Sequence, residues 1–119
     1  MIVTVDSRSA TPPFEQVRIQ VIDLIRSGAL VAGTRLPTVR RLAADLGIAP
    51  NTVARAYKEL EAAGYITTRG RAGSFVEAKS GTAEDEALSA ARAYVDRIRE
   101  LGLSADEAVA FITAVLSKN

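Results

Sequence analysis

The side chains with useful chemistry in this chain are suited to binding rather than to making and breaking bonds. Its 119 residues contain no cysteine and no histidine. Disulfides, thiolate metal sites and cysteine nucleophiles are thereby excluded, and the commonest general base and metal ligand is missing. No glycine-rich phosphate loop is present either, so an enzyme is not expected. Polar chemistry gathers instead in "GIAPNTVARAYKELEAAG", residues 47–64. Helical spacing puts Val53, Tyr57 and Leu60 on one side of that stretch and Asn51, Thr52, Arg55 and Glu59 on the other. Amide, hydroxyl and guanidinium groups so arranged can hydrogen-bond an extended polar surface. Arg40 and Arg41 upstream, with Arg69 and Arg71 downstream, can neutralise anions on it. The plainer reading of this face is a solvated one, in which Arg55 simply pairs with Glu59 at i+4.

Net charge is only +1, but it is unevenly distributed. Met1 to Val76 carries ten Lys/Arg against six Asp/Glu, whereas Glu77 to Asn119 carries five against eight. That asymmetry separates a basic working part from an acidic part with another job. Hydrophobic residues make up 48% and charged residues 24%, as in a folded globular chain. No apolar run approaches a membrane span. The opening "MIVTVDSRSATPP" lacks the basic start and apolar core of a signal peptide, so the cytoplasm is the expected location. The length suits one compact domain with an appendage.

Several elements must position the basic face. "PPFEQVRIQVIDLIRSG" opens on proline, stops at Gly28 and repeats Val17, Val21, Leu24 and Ile25 at helical spacing, which predicts a first helix. A turn at Gly33 and a short extended piece follow. Thr38 is placed to cap a second helix, "VRRLAADLG", with Val39, Leu42, Ala43 and Leu46 on its apolar side and Gly47 at its end. Pro50 suits the first position of a third helix running to Ala63, with Ala49 in the cap position. Beyond Gly64, "YITTRGRAGSFVE" reads as a hairpin whose tip is basic and bounded by glycines.

Three helices and a hairpin in this order predict a mainly α fold with a small β-hairpin wing, a winged helix-turn-helix. Such a motif offers its second helix to the major groove of DNA. Residues 33–76, above all "LPTVRRLA", "NTVARAYKELEAAG" and "RGRAGSFV", resemble the DNA-binding domain of GntR-type bacterial transcription regulators. The opening "VDSRSATPPFEQV" and the short tail are similar to the YtrA-type subfamily. The resemblance implies that Arg40 contacts an operator, that Asn51, Thr52 and Arg55 enter the groove, and that Arg69, Gly70, Arg71 and Gly73 belong to the wing. Thr38, Arg41 and Lys58 complete the expected DNA-binding set. Arg40 also stands at a helix N-terminus, where a cation opposes the macrodipole unless an anion such as phosphate is near. Tyr57 is expected in the core, with its hydroxyl able to reach a phosphate at the rim. The resemblance also implies repression and a link to transporter operons. The chain departs from many relatives outside the YtrA type at Pro50, where they have arginine, so their base contacts do not carry over there, and at Ala49, where a polar cap is usual.

The tail poses its own problem. "EDEALSAARAYVDRIRELG" spaces Leu88, Ala91, Val95, Ile98 and Leu101 as one apolar row, behind Glu84 to Glu86, which suit the start of a helix better than a metal ion. In "LSADEAVAFITAVLSKN", Ser104 and Glu107 form a capping box ahead of Val109, Phe111, Ile112, Val115 and Leu116. Two helices of this length cannot bury so many apolar groups alone. They must pack against the wing domain, another chain, or both; a homodimer is the commonest solution, with Leu88, Ala91, Val95, Ile98, Leu101, Phe111, Ile112 and Val115 as its expected contacts. The expected organisation is thus a DNA-binding domain over 1–78 and a helical dimerisation segment over 79–119. Its partners are a double-stranded DNA operator and a second copy, with no membrane and no cofactor. About 40 residues of tail leave little room for an effector cavity, so an effector would act at the dimer interface. The alternative is a winged-helix module that binds protein without DNA.

Overall fold

The computed structural model describes residues 1–79 and 81–117; of the expected 79–119 segment, Ser80, Lys118 and Asn119 lie outside the described residues. The chain divides into two compact units, Met1–Lys79 and Ser80–Asn119. In the first, helices α1 (Pro13–Arg26), α2 (Val39–Leu46) and α3 (Pro50–Ala62) precede strands β1 (Ile66–Thr68) and β2 (Ser74–Val76). The second consists of α4 (Ala83–Glu100) and α5 (Ala105–Leu116). This is the predicted winged helix-turn-helix followed by two helices. Among the described residues, no helix is long and apolar enough to cross a membrane.

The helix boundaries follow from local chemistry. Thr38 is extended, and its Oγ1 accepts a hydrogen bond from the Arg41 backbone N–H at 3.1 Å, satisfying one orphan donor of α2. Gly47 ends that helix in the left-handed region, φ 67°, where a side chain would be strained. Helix α3 begins on Pro50, and Ala49 before it supplies no side-chain cap. Ser104 and Glu107 form the reciprocal capping box at the start of α5.

Val17 and Val21 of α1, Leu42 and Ala43 of α2, and Val53, Ala56, Tyr57 and Leu60 of α3 form one core with Leu36, Ile66 and Val76. Val53 and Leu60 are wholly removed from solvent, so the apolar stripe of α3 sets the helix's rotation. Tyr57 adds a directional bond. Its hydroxyl donates to the Pro37 carbonyl at 2.7 Å, tying α3 to the residue just before the α2 cap. The hydroxyl is thus engaged within the protein rather than turned outward to a phosphate. Burial pushes its pKa well above the ordinary 10.0.

The wing pairs in antiparallel register, Ile66 with Val76, Thr67 with Phe75 and Thr68 with Ser74, and a 3₁₀ turn over Gly70–Ala72 closes it. The extended piece after Gly33 lies along the other edge of β2, where the Leu36 N–H donates to Ser74 O at 2.8 Å. The N-terminal arm is clasped by two glutamines one helical turn apart. Gln20 exchanges two hydrogen bonds with the Thr4 backbone, at 3.0 and 2.7 Å, and Gln16 does the same with Asp6, at 2.8 and 3.0 Å. Val3 is thereby seated in the core.

Two outcomes follow. Ala49→Asn supplies the missing cap on α3 and should stabilise the fold by about 1 kcal/mol, raising the melting temperature by roughly 4–8 °C; an unchanged or lower value would contradict this helix start. The second concerns Tyr57, which holds its proton more tightly folded than unfolded, so its contribution is complete below pH 10 and is lost as pH rises past it. Tyr57→Phe should cost about 0.5–1.5 kcal/mol near neutrality and flatten the alkaline fall in stability, as measured by urea unfolding across pH.

Candidate nucleic-acid interface

With its apolar stripe buried, α3 turns Asn51, Ala54, Arg55 and Lys58 together onto an open, shallow concavity. Asn51, Arg55 and Lys58 are exposed and Thr52 is half-buried at the edge. Thirteen residues give α3 a length of about 20 Å, and a bare helix is narrow enough to enter a major groove. Thr38, Arg40 and Arg41 are exposed at the start of α2, although the Thr38 hydroxyl already serves the cap.

Not all these cations are equally free. Arg41 Nε lies 3.3 and 3.4 Å from the two carboxylate oxygens of Asp45. Arg55 Nε lies 3.4 Å from Glu59 Oε2, a buried oxygen that accepts no hydrogen bond in this arrangement. The Arg55 guanidinium also stacks on the Phe14 ring, its Cζ 3.7 Å from the centroid. The i+4 pair expected from sequence therefore forms, and an aromatic contact from α1 joins it. Among the described residues, Arg40, Lys58 and Arg71 make no ion pair; they lie on α2, on α3 and in the wing turn.

The wing holds its basic tip by backbone geometry. Arg69 N–H donates to Gly73 O at 2.8 Å, and Arg69 lies over the Phe75 ring with Cζ 5.3 Å from the centroid. Gly73 has φ +110°, and a Cβ there would come within 3.0 Å of Arg35 Nε. Only glycine accommodates both the backbone angle and the close guanidinium. Gly70, at φ 52°, opens the turn, and Arg71 within it is exposed.

Two residues escape a reading of the sequence. Arg35 stands in the extended piece before Pro37, paired with Phe75, and so joins the basic wing; a cation directly before the "LP" step was its one visible signal. Phe14 has no local signal, because its partner Arg55 is remote in sequence.

In the second unit, Leu88 is half-buried, Ile98 is buried in the single chain, and Ala91, Val95, Leu101, Phe111, Ile112 and Val115 are exposed, as are Val109 and Leu116. Val109, Val115 and Leu116 are each more than 60% exposed, an unusual burden for so small a unit. A cavity was not expected here. Yet an open apolar groove of about 530 Å³ is lined by Ala90, Ala91, Tyr94 and Val95 of α4 and by Ala108, Val109, Ile112 and Thr113 of α5. The alanines leave that volume between the helices, and the Tyr94 hydroxyl is turned aside to donate to Ala108 O at 2.8 Å.

Comparison with known proteins gives a consistent result. Residues 13–76 match the family described as "Bacterial regulatory proteins, gntR family". An HTH-type transcriptional regulator of Mycobacterium tuberculosis is 52% identical over 93% of this chain and 91% of its own. The HTH-type transcriptional repressor YtrA of Bacillus subtilis is 43% identical over 67% of this chain and 62% of its own. Among solved structures, YtrA from Sulfolobus acidocaldarius, a GntR-family transcription factor, superposes with a TM-score of 0.60, at 32% identity, over 96% of each chain.

Proposed function

The chain belongs to the GntR family of bacterial regulatory proteins and is a transcriptional regulator with a DNA-binding domain rather than an enzyme, and from that premise we propose a cytoplasmic, homodimeric repressor of a two-fold symmetric operator. The observation that carries the reading is that three cations with no ion pair among the described residues, Arg40, Lys58 and Arg71, stand one on each element that a winged helix presents to a duplex. Helix α3 enters the major groove, where Asn51, Thr52 and Arg55 meet base edges. Arg40 and Lys58 flank it on phosphates. The wing, with Arg69, Arg71 and the adjoining Arg35, holds the backbone beside that groove. Arg41 is a weaker contributor, because Asp45 must release it first.

Pairing is supported by the apolar face of α4 and α5. A second copy laid on the groove and on Phe111, Ile112 and Val115 would remove exposed apolar surface that the single chain leaves in solvent. Two α3 helices then meet two half-sites, each raising the effective concentration of the other. An effector of operator binding would act at this same face. The repressor assignment is supported by the name of the B. subtilis relative.

Binding of the full chain to a mixed-sequence duplex, followed by fluorescence anisotropy through a salt series, tests the electrostatic part. Affinity should fall linearly on a log–log plot as salt rises, and Arg71→Ala should lower the slope by about 1 while weakening all sequences alike. Arg40→Ala should also weaken binding, but with some loss of base preference. Absence of binding even at low salt would instead favour a winged-helix module that meets an acidic protein.

A further inference from the structure

Three guanidinium groups face aromatic rings among the described residues, and one contact is much closer than the others. Arg55 Cζ lies 3.7 Å from the Phe14 centroid, against 5.3 Å for Arg69 on Phe75 and 5.9 Å for Arg26 on Tyr65. A separation that small is reached only when the cation lies flat against the ring. Phe14 belongs to α1 and is half-buried against the core, so the ring is itself held in place. Glu59, one turn further along α3, takes the Nε edge at 3.4 Å. One face of the guanidinium is therefore committed to the ring, and the Glu59 carboxylate lies beside its Nε edge as an ion pair without a hydrogen bond. The side chain is still 64% exposed, and its terminal Nη groups have no hydrogen bond among the described residues.

We propose that Phe14 is a positioning residue for sequence recognition: by stacking on Arg55 it fixes the plane in which the Nη groups meet a base edge. The inference rests on the reading of Arg55 as a base contact. A free arginine is a flexible cation that can settle on any nearby phosphate, and ordering it costs rotamer entropy at the moment of binding. Stacked and paired, Arg55 has lost most of that freedom before DNA arrives. Its fork then matches the O6 and N7 acceptors of guanine only when that base occupies the facing step. Phe14 therefore raises discrimination rather than general affinity. The ring thus acts on sequence choice through Arg55, at the one position that Arg55 reads.

The test uses the full chain on a duplex selected from a random pool, on every single-base variant of that duplex, and on an unrelated duplex, with melting temperatures recorded alongside. Arg55→Ala should flatten preference at one position per half-site. Phe14→Leu, and Phe14→Met as a longer, unbranched companion, should reduce discrimination at that same position about three- to tenfold and leave the unrelated duplex within about twofold. Phe14→Tyr should retain it, and in the Arg55→Ala background Phe14→Leu should change base preference no further. If Phe14→Leu and Phe14→Met keep full preference where Arg55→Ala loses it, Arg55 reads the base unaided and the proposal falls alone. Equal weakening on every duplex would also overturn it, because the ring would then serve only stability. Should Arg55→Ala itself preserve every preference, the reading beneath the proposal fails first.

Discussion

Everything in the first unit depends on how α3 is anchored. Val53, Ala56, Tyr57 and Leu60 lie on one stripe of that helix and are buried between α1, α2 and the wing strands. Close packing there leaves the helix one rotation, since turning it would exchange apolar side chains for Asn51, Arg55 and Lys58. The Tyr57–Pro37 hydrogen bond adds a fixed point near the start of α2. A polar face whose direction is set by the opposite, apolar face is what recognition by a rigid helix requires. The energy that folds the domain and the geometry that lets it read come from the same stripe.

The charges are arranged around that anchor with little internal cost. Among the described residues no charged or polar residue is classed as buried, and the ion pairs of Arg41 and Arg55 lie on the surface, where such pairs contribute little to stability. Asp45 can therefore be displaced from Arg41 at small cost. Arg40, Lys58 and Arg71 have no ion pair among the described residues, so under the proposed reading no counter-ion need leave them when phosphate arrives. Arg55 is paired as well, but it also has the Phe14 ring, an uncharged partner that can stay in place when DNA arrives.

The parts legible in the sequence are those decided within one helical turn. Thr38 caps α2, Gly47 stops it, and Ser104 with Glu107 boxes the start of α5, each through contacts three or four residues apart. The apolar spacing of α3 likewise announced its buried stripe, and the glycines announced the wing. What escaped was made by segments that meet only after folding. Phe14 beneath Arg55, Arg35 against Gly73, and Gln16 and Gln20 clasping the N-terminal arm have no periodicity to betray them. In the tail, spacing showed an apolar row but not which members the two helices would bury themselves. Ile98 is already covered in the single chain, whereas Phe111, Ile112 and Val115 are not.

That residual apolar face completes the account, because a DNA-reading unit with one half-site gains both affinity and symmetry from a second copy. The most direct measurement is selection of duplexes bound by the full chain from a random-sequence library, followed by sequencing. The account predicts enrichment of an inverted repeat whose two halves are spaced by about one helical turn or a multiple of it. Enrichment of a single unrepeated half-site, or of no sequence at all, would contradict it.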